Sequence, residues 1–289
     1  MMRVLITGAG GFIGQHLASS LSQAGASVSG TFHTASKGLA HANWLTGLYQ
    51  MSLDDPQLCI DWSAFDVVVH GAFDLRKGQS NTNYKGTMRL VEAAKHSGVT
   101  RQIFISSYSA RSDAISEYGQ VKYRLERYFI DAGYEIIRPG LVLGNGGIVA
   151  RITRALKVLP IIPLPSGGAG EIPYISIDVL CKAIGQILDH PGNKEHNLFS
   201  RHFTSLRLLV QTIRDVVWRS RDAIIFPIPA TLMLHGLQLV EILRLPIPVT
   251  TDNLKGFIQN QARLHESTLE GLGIRSETLS EAVEAAHIA

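Results

Sequence analysis

Val4-Leu5-Ile6-Thr7-Gly8-Ala9-Gly10-Gly11-Phe12-Ile13-Gly14 stands close behind Met1-Met2-Arg3 and decides the fold. The apolar run is too short for a helix and reads as a strand covered on both faces. Residues 12–23 then read as a helix, ended by Gly25. Glycines recur at 8, 11 and 14 between the two elements. The first permits a tight turn, the second lets a diphosphate approach the backbone, and the third lets the helix pack close to the strand. Backbone N–H groups at the helix start, near Phe12 and Ile13, are left to face an anion. Thr7, Gly8, Gly11, Phe12, Ile13 and Gly14 are therefore the expected contacts of a dinucleotide.

Outward from this turn, strands and helices alternate through residue 140. Strands are predicted at 27–31, 66–70, 102–106 and 135–138, a third short apolar piece lies around 48–53, and helices are predicted at 82–97 and 118–132. Asp66-Val67-Val68-Val69-His70 is the clearest strand, β-branched and continuous. Such alternation calls for an α/β fold, a doubly wound parallel Rossmann sheet. After residue 140 the texture changes. Pro160, Pro163 and Pro165, then Gly167, Gly168 and Gly170, mark a loop-rich region. The organisation read from this is a dinucleotide-binding domain over 1–144, with a return segment near 173–197. A smaller C-terminal α/β substrate lobe takes 145–172 and 198–289.

Composition bounds the function. The chain has 289 residues, 45% hydrophobic and 18% charged, which suits a compact soluble fold and excludes long disorder. The net charge of +3 is small and its basic residues are scattered, so no nucleic-acid footprint is expected. Cys59 and Cys181 stand far apart, and the histidines show no metal-ligand spacing, so no metal site is expected. No signal-peptide core precedes the glycine loop, and the expected compartment is the cytoplasm.

The kind of dinucleotide turns on the segment after the second strand. An acidic residue there would bind the ribose hydroxyls of NAD. The sequence instead has Gly30-Thr31-Phe32-His33-Thr34-Ala35-Ser36-Lys37. His33 and Lys37 either meet a 2′-phosphate or are solvated loop residues. NADP is thereby slightly favoured over NAD.

Tyr118 and Lys122, in Tyr118-Gly119-Gln120-Val121-Lys122, share one face of a helix. An ammonium near a phenol favours the phenolate, which suits acid–base work near neutral pH. On its own the pattern is common on exposed helices. In context the chain resembles an extended short-chain dehydrogenase/reductase of the NAD-dependent epimerase/dehydratase family. The matching residues appear in order: the loop from Thr7 to Gly14; Asp66-Val-Val-Val-His70-Gly71-Ala72; Asn83-Tyr84-Lys85-Gly86-Thr87; Phe104-Ile105-Ser106-Ser107; Tyr118 to Lys122; Arg138-Pro139-Gly140.

That resemblance implies roles. Ser107 would hydrogen-bond the substrate oxygen, Tyr118 would transfer the proton, and Lys122 would hold the nicotinamide ribose and tune Tyr118. Asn83 would support the sheet or a proton-relay water. Gly71, Ala72 and Pro139 would line the cofactor, and Ser52 and Leu53 would take the adenine-contact position. Three departures stand out. Phe73 follows Gly71-Ala72 where a small residue is usual. Ser52 replaces the usual acid after the third strand. Eleven positions separate Ser107 from Tyr118, fewer than in sugar epimerases.

The expected function is NAD(P)-dependent oxidation, reduction or epimerisation of a sugar on a nucleotide or lipid diphosphate. The alternative is a non-catalytic NAD(P)-binding regulator or assembly factor; retention of Ser107, Tyr118 and Lys122 favours the enzyme. The apolar residues from 224 to 249, among them Phe226, Leu232, Met233, Leu234, Leu237, Leu239, Ile242 and Leu243, are expected mostly to pack as core. The other reading leaves part of them exposed for a lipid carrier or a peripheral membrane contact, with Arg244 meeting anionic headgroups. The sequence is also compatible with a homodimer.

Overall fold

The computed structural model describes residues 1–33, 42–54, 60–158, 161–218, 224–243, 249–259 and 265–286. In chain order the elements begin β1 (Arg3–Thr7), α1 (Phe12–Gln23), β2 (Ser27–Phe32), β3 (Gly47–Gln50), β4 (Val67–His70), α2 (Ser80–His96), β5 (Arg101–Ile105), α3 (Glu117–Asp131) and β6 (Glu135–Pro139). They continue with β7 (Leu141–Leu143), α4 (Gly147–Val158), β8 (Ile161–Pro165), β9 (Glu171–Ile172), β10 (Tyr174–Ser176), α5 (Ile177–Asp189) and β11 (Glu195–Leu198). The last are β12 (Thr204–Ser205), α6 (Leu206–Ile213), β13 (Ile224–Ile228), α7 (Ala230–Ile242), α8 (Thr251–Gln259) and α9 (Leu279–Ala285).

The chain forms two compact units. One holds Met1–Ser112, Gln120–Arg138 and Cys181–His196; the other holds Asp113–Gly119, Pro139–Leu180 and Asn197–Ala289. The change of unit thus falls at 138 and 181, where the sequence suggested 144 and 173. Residues 174–176 go with the second unit because β10 pairs in parallel with β7. The Tyr174 hydroxyl also donates to the Glu277 carbonyl, and the Ser176 amide donates to the Glu277 carboxylate.

A seven-stranded sheet runs in the order β11-β6-β5-β4-β1-β2-β3. Strand β1 pairs in parallel with β2 on one side and β4 on the other, so the winding reverses between β1 and β4. In such sheets a ligand binds outside the carboxyl ends of the strands at that reversal. The residues there are Thr7-Gly8 and His70-Gly71. Every residue of β4 and β6 is buried, as in strands covered on both faces; the charged Glu135 and Arg138 of β6 are buried with ion-pair partners, Arg101 and Glu126. Helices α1, α2 and α3 stop at Gly25, Gly98 and Gly133, where the next amide closes back on the helix: Ala26 to Leu21, Val99 to Ala94, Tyr134 to Phe129. One core packs Leu5 and Val68 against Trp62, Phe65, Leu90 and Ala94. Another packs Phe104 and Ile136 against Val121, Leu125 and Phe129.

The second unit has its own core of Leu143, Val149, Leu156, Leu164, Tyr174, Leu209, Ile213 and Val283. The segment from 224 to 243 corrects the expectation of core packing. No residue of α7 is buried, and Leu232 and Ile242 are 63% and 76% exposed; Ile224 and Phe226 on β13 are exposed as well. Apolar composition does not decide burial; tertiary contacts do, and those of α7 bury none of its residues, although Thr231, His235 and Gln238 give it a polar stripe at i, i+4 and i+7. Arg244, Lys37 and Cys59 lie outside the described residues. Among the described residues no helix is long and apolar enough to cross a membrane.

Candidate active site

The glycine loop divides its labour unequally. Gly8 has φ +75°, and a Cβ there would stand 2.7 Å from Cα of Ala72. A Cβ on Gly14 would stand 2.3 Å from the Gly8 carbonyl oxygen. These two glycines are demanded by the protein's own packing. A Cβ on Gly11 would meet only that same carbonyl within 4 Å, at 3.2 Å, with open space elsewhere. Gly11 is also the N-cap of α1 and supplies no side-chain cap, so the first-turn amides, those of Phe12 and Ile13 included, look outward for an acceptor. An open cradle above outward-facing amides fits a diphosphate.

Hydroxyls fix this loop. The Gly8 amide donates to Thr31 Oγ1 at 3.0 Å, and the Ala9 amide to the Thr31 carbonyl at 3.0 Å. Buried Thr7 accepts at Oγ1 from the amides of Gly71 and Ala72, at 3.2 and 3.3 Å. Thr7 therefore ties the loop after β4 to the end of β1. Thr31 does the same from β2, and the sequence reading missed it. His70 is fully buried, with Nε2 2.8 Å from Gln102 Oε1 and its ring edge-on to Phe129. Burial pushes its pKa down to about 4, so it is neutral and structural.

At the β2–β3 side His33 is exposed, directly after β2. The Ser52 hydroxyl donates to the carboxylate of Asp54. That bond, then the residue's own amide, holds the Asp54 carboxyl below its usual range against a small burial effect, and the charges of His33 and Arg76 add to it. The acid missing at 52 is thus present two residues on, a second residue the sequence reading missed. Leu53 is buried, and a Cβ on Gly86 of α2 would fall 2.4 Å from its carbonyl oxygen.

Lys122, on α3, is buried in the first unit. Its Nζ donates to the Ile105 carbonyl at 2.6 Å and lies 4.6 Å from the ring centroids of both Phe73 and Phe104. Burial lowers its pKa to about 7, opposed by the negative charge of Glu126. Glu126 is itself held by Arg138 Nη2 at 2.9 Å and by the Ser106 hydroxyl at 2.5 Å. Ser107 stands two residues beyond Ile105, half-buried, and its Oγ accepts from the Ser109 amide at 3.1 Å. Asn83 spends both ends of its amide on the main chain of Asp74: Oδ1 accepts from the amide at 2.7 Å and Nδ2 donates to the carbonyl at 2.8 Å. Its place is therefore to shape the loop that carries Gly71, Ala72 and Phe73.

Tyr118 is half-buried in the first turn of α3, one turn before Lys122. In the second unit the amides of Glu117 and Tyr118 donate to the Asp252 carboxylate, at 2.6 and 3.2 Å. The Gly119 amide donates to Ser116 Oγ at 3.1 Å. Pro139 is buried at the end of β6.

A family model described as the NAD dependent epimerase/dehydratase family matches residues 4–199. The chain belongs to the NAD-dependent epimerase/dehydratase family. The matched span includes the glycine loop, Ser107, Tyr118 and Lys122. Solved structures agree in fold. UDP-glucose 4-epimerase from Thermotoga maritima, determined with UDP-glucose, superposes with a TM-score of 0.73 at 19% identity, over 99% of this chain and 97% of that one. The NAD-dependent NDP-hexosamine 5,6-dehydratase TunA, involved in tunicamycin biosynthesis, gives 0.72 at 17%, over 99% and 97%. The Bordetella bronchiseptica enzyme WbmH in complex with NAD+ gives 0.70 at 18%, over 99% and 97%. A sequence search of curated proteins finds no match.

Proposed function

We propose that this family member is an NAD(P)-dependent oxidoreductase or epimerase that acts on a sugar carried by a nucleotide or lipid diphosphate, with NADP the favoured dinucleotide. The observation that carries the reading is Lys122: a buried amine with a pKa near 7, one helical turn from Tyr118. A lysine has little packing reason to be buried, and strongly perturbed ionisable groups cluster at working sites. The nucleotide-sugar enzymes among the similar folds support the substrate class.

The chain's own residues divide the work as follows. The amides of Phe12 and Ile13 bind the diphosphate, with Gly11 leaving room for it. Thr7 holds Gly71 and Ala72 in place beside that cradle. Lys122 presents a charge that favours ionised Tyr118 and a donor for a ribose hydroxyl. Tyr118 moves the proton of the sugar hydroxyl, and Ser107 orients the same oxygen by a hydrogen bond. When bound, the nicotinamide supplies or accepts the hydride.

The test is oxidation of NADPH or NADH by the purified protein across a panel of nucleotide-linked keto-sugars, with interconversion of UDP-glucose followed in parallel. Turnover with any member supports the enzyme. Tight dinucleotide binding with no turnover across the panel favours the regulator or assembly factor.

The bare apolar surface of α7 supports one further element, a peripheral contact with an anionic membrane. Arg219 and Arg221 before this segment and Arg244 after it in sequence have the sign such a surface attracts. Cosedimentation with phosphatidylserine vesicles is expected. A protein left wholly in the supernatant at low salt would discard this contact.

A further inference from the structure

Among the described residues, four hydrogen bonds join α8 to the main chain leading into Tyr118. Asp252 Oδ1 accepts from the Glu117 amide at 2.6 Å and Oδ2 from the Tyr118 amide at 3.2 Å. Gln259 Oε1 accepts from the Ile115 amide at 2.8 Å, and its Nε2 donates to the Asp113 carbonyl at 2.6 Å. Asp252 and Gln259 are seven residues apart, two turns, so they project from one face of α8.

Helix α8 is itself anchored where Asp252 leaves it. Thr250 and Asn253 exchange side-chain-to-amide bonds at 3.1 and 3.2 Å. The Thr251 amide donates to Glu241 of α7 at 2.7 Å. The first amides of α3 have no partners within their own helix. A carboxylate there satisfies two of them and complements the positive end of the helix dipole. Helix caps commonly come from the residue just before the helix. Here Ser116 fills that place for Gly119, while Glu117 and Tyr118 are served from 135 and 134 residues away.

We infer that Asp252 and Gln259 are positioning residues for the reaction: the α8 face fixes the main chain of residues 113–118 and so sets where the Tyr118 phenol stands. This rests on Tyr118 being the proton-transfer group. Both side chains act through the main chain they hold rather than on substrate. Their effect is on rate, because a displacement of about 1 Å at a reacting group costs up to roughly a hundredfold.

The experiment uses the full chain with Asp252→Ala, Asp252→Asn, Gln259→Ala and Tyr118→Phe, each first checked for native circular dichroism. In Asp252→Ala the amides of Glu117 and Tyr118 are expected to exchange hydrogen at least tenfold faster, the loss of a bond to a charged acceptor. Amides of the seven-stranded sheet should keep wild-type protection. Asp252→Asn, which retains an acceptor, should recover part of it, and Gln259→Ala should open Ile115 alone. With the best substrate of the nucleotide-sugar panel, Asp252→Ala should lose at least tenfold in kcat, with KM and dinucleotide affinity unchanged and partial rescue by Asp252→Asn. Unchanged exchange at Glu117 and Tyr118, or faster exchange with wild-type kcat, overturns the inference. If Tyr118→Phe keeps full turnover, the proton-transfer reading fails instead, and the exchange result shows separately whether the clamp exists.

Discussion

Lys122 Nζ stands over the ring of Phe73, 4.6 Å from its centroid. Phe73 occupies a place where the family resemblance leads one to expect a small residue, and its bulk looks at first like an obstacle. A desolvated cation over an aromatic face gains on the order of 2 kcal/mol. Phe104 lies at the same distance, so the ammonium is held between two rings and the Ile105 carbonyl. The arrangement leaves the buried amine able to change protonation state near neutral pH.

Lys122 should therefore shape the pH dependence of stability. Its pKa falls from 10.5 to about 7 on folding, with burial the main cause. Below pH 7 the lysine is charged in both states and the full cost of burying the charge is present. Between pH 7 and 10.5 the unfolded chain holds a proton that the folded one has lost, so this residue makes stability rise with pH, by about 1.4 kcal/mol per unit at most. Lys122→Met should be more stable than wild type at pH 6, and the advantage should shrink as pH rises. Chemical denaturation at pH 6, 8 and 9.5 reads this. A constant difference across the series, or a variant weaker at pH 6, would show that the amine is not desolvated as described.

Tyr118→Phe should remove turnover and spare cofactor binding. Losing a general acid–base group costs on the order of 10²–10⁴ in rate. The diphosphate cradle is built on the main chain at the start of α1. Single-turnover absorbance at the nicotinamide band and calorimetry with the dinucleotide separate the two effects. Ordinary kcat in the Phe variant would take Tyr118 out of the mechanism.

Much of this was legible in the sequence because its signals are local. The helix expected over 12–23 is α1, Phe12–Gln23, since a glycine loop starts it and Gly25 stops it. The continuous apolar strands could only be buried ones. The partners that position the site are another matter. Asp252 lies 134 residues beyond Tyr118, and no spacing rule joins them. Thr31 reads only as a strand residue, and Asn83, expected to support the sheet or a proton-relay water, is bonded instead to the main chain of Asp74. The exposure of Leu232 and Ile242 was undetermined for the same reason: apolar character says that a residue leaves water when something covers it, and tertiary contact decides whether anything does.

The dinucleotide preference should be measurable and moderate. No acid follows β2, and His33 is exposed there, which favours a 2′-phosphate. Asp54 pulls the other way: its carboxylate is held ionised by Ser52 and interacts electrostatically with His33. NADP is expected to bind more tightly than NAD at low salt, and Asp54→Asn to widen the gap by removing the opposing charge. Equal or reversed dissociation constants in the wild type would overturn the preference. No change with Asp54→Asn would show that this carboxylate does not face the ribose.

Gly11 and Gly14 should fail in different ways when substituted. A Cβ on Gly14 would lie 2.3 Å from the Gly8 carbonyl and 2.8 Å from Cα of Ala9, both main chain, so the strand and helix would have to separate. Gly14→Ala should therefore lower Tm in the absence of any dinucleotide. At Gly11 the only close atom is the Gly8 carbonyl at 3.2 Å, and the backbone is extended, with φ −81° and ψ 168°, a conformation open to any residue. Gly11→Val should fold with a Tm near that of wild type and lose the dinucleotide, because its side chain fills the space a diphosphate needs to reach the amides of Phe12 and Ile13. Calorimetry with NADP and thermal denaturation of the two apo variants give the comparison. If Gly11→Val binds normally with its fold intact, the diphosphate does not rest on this loop; if both variants lose only stability, the loop is a structural turn and nothing more.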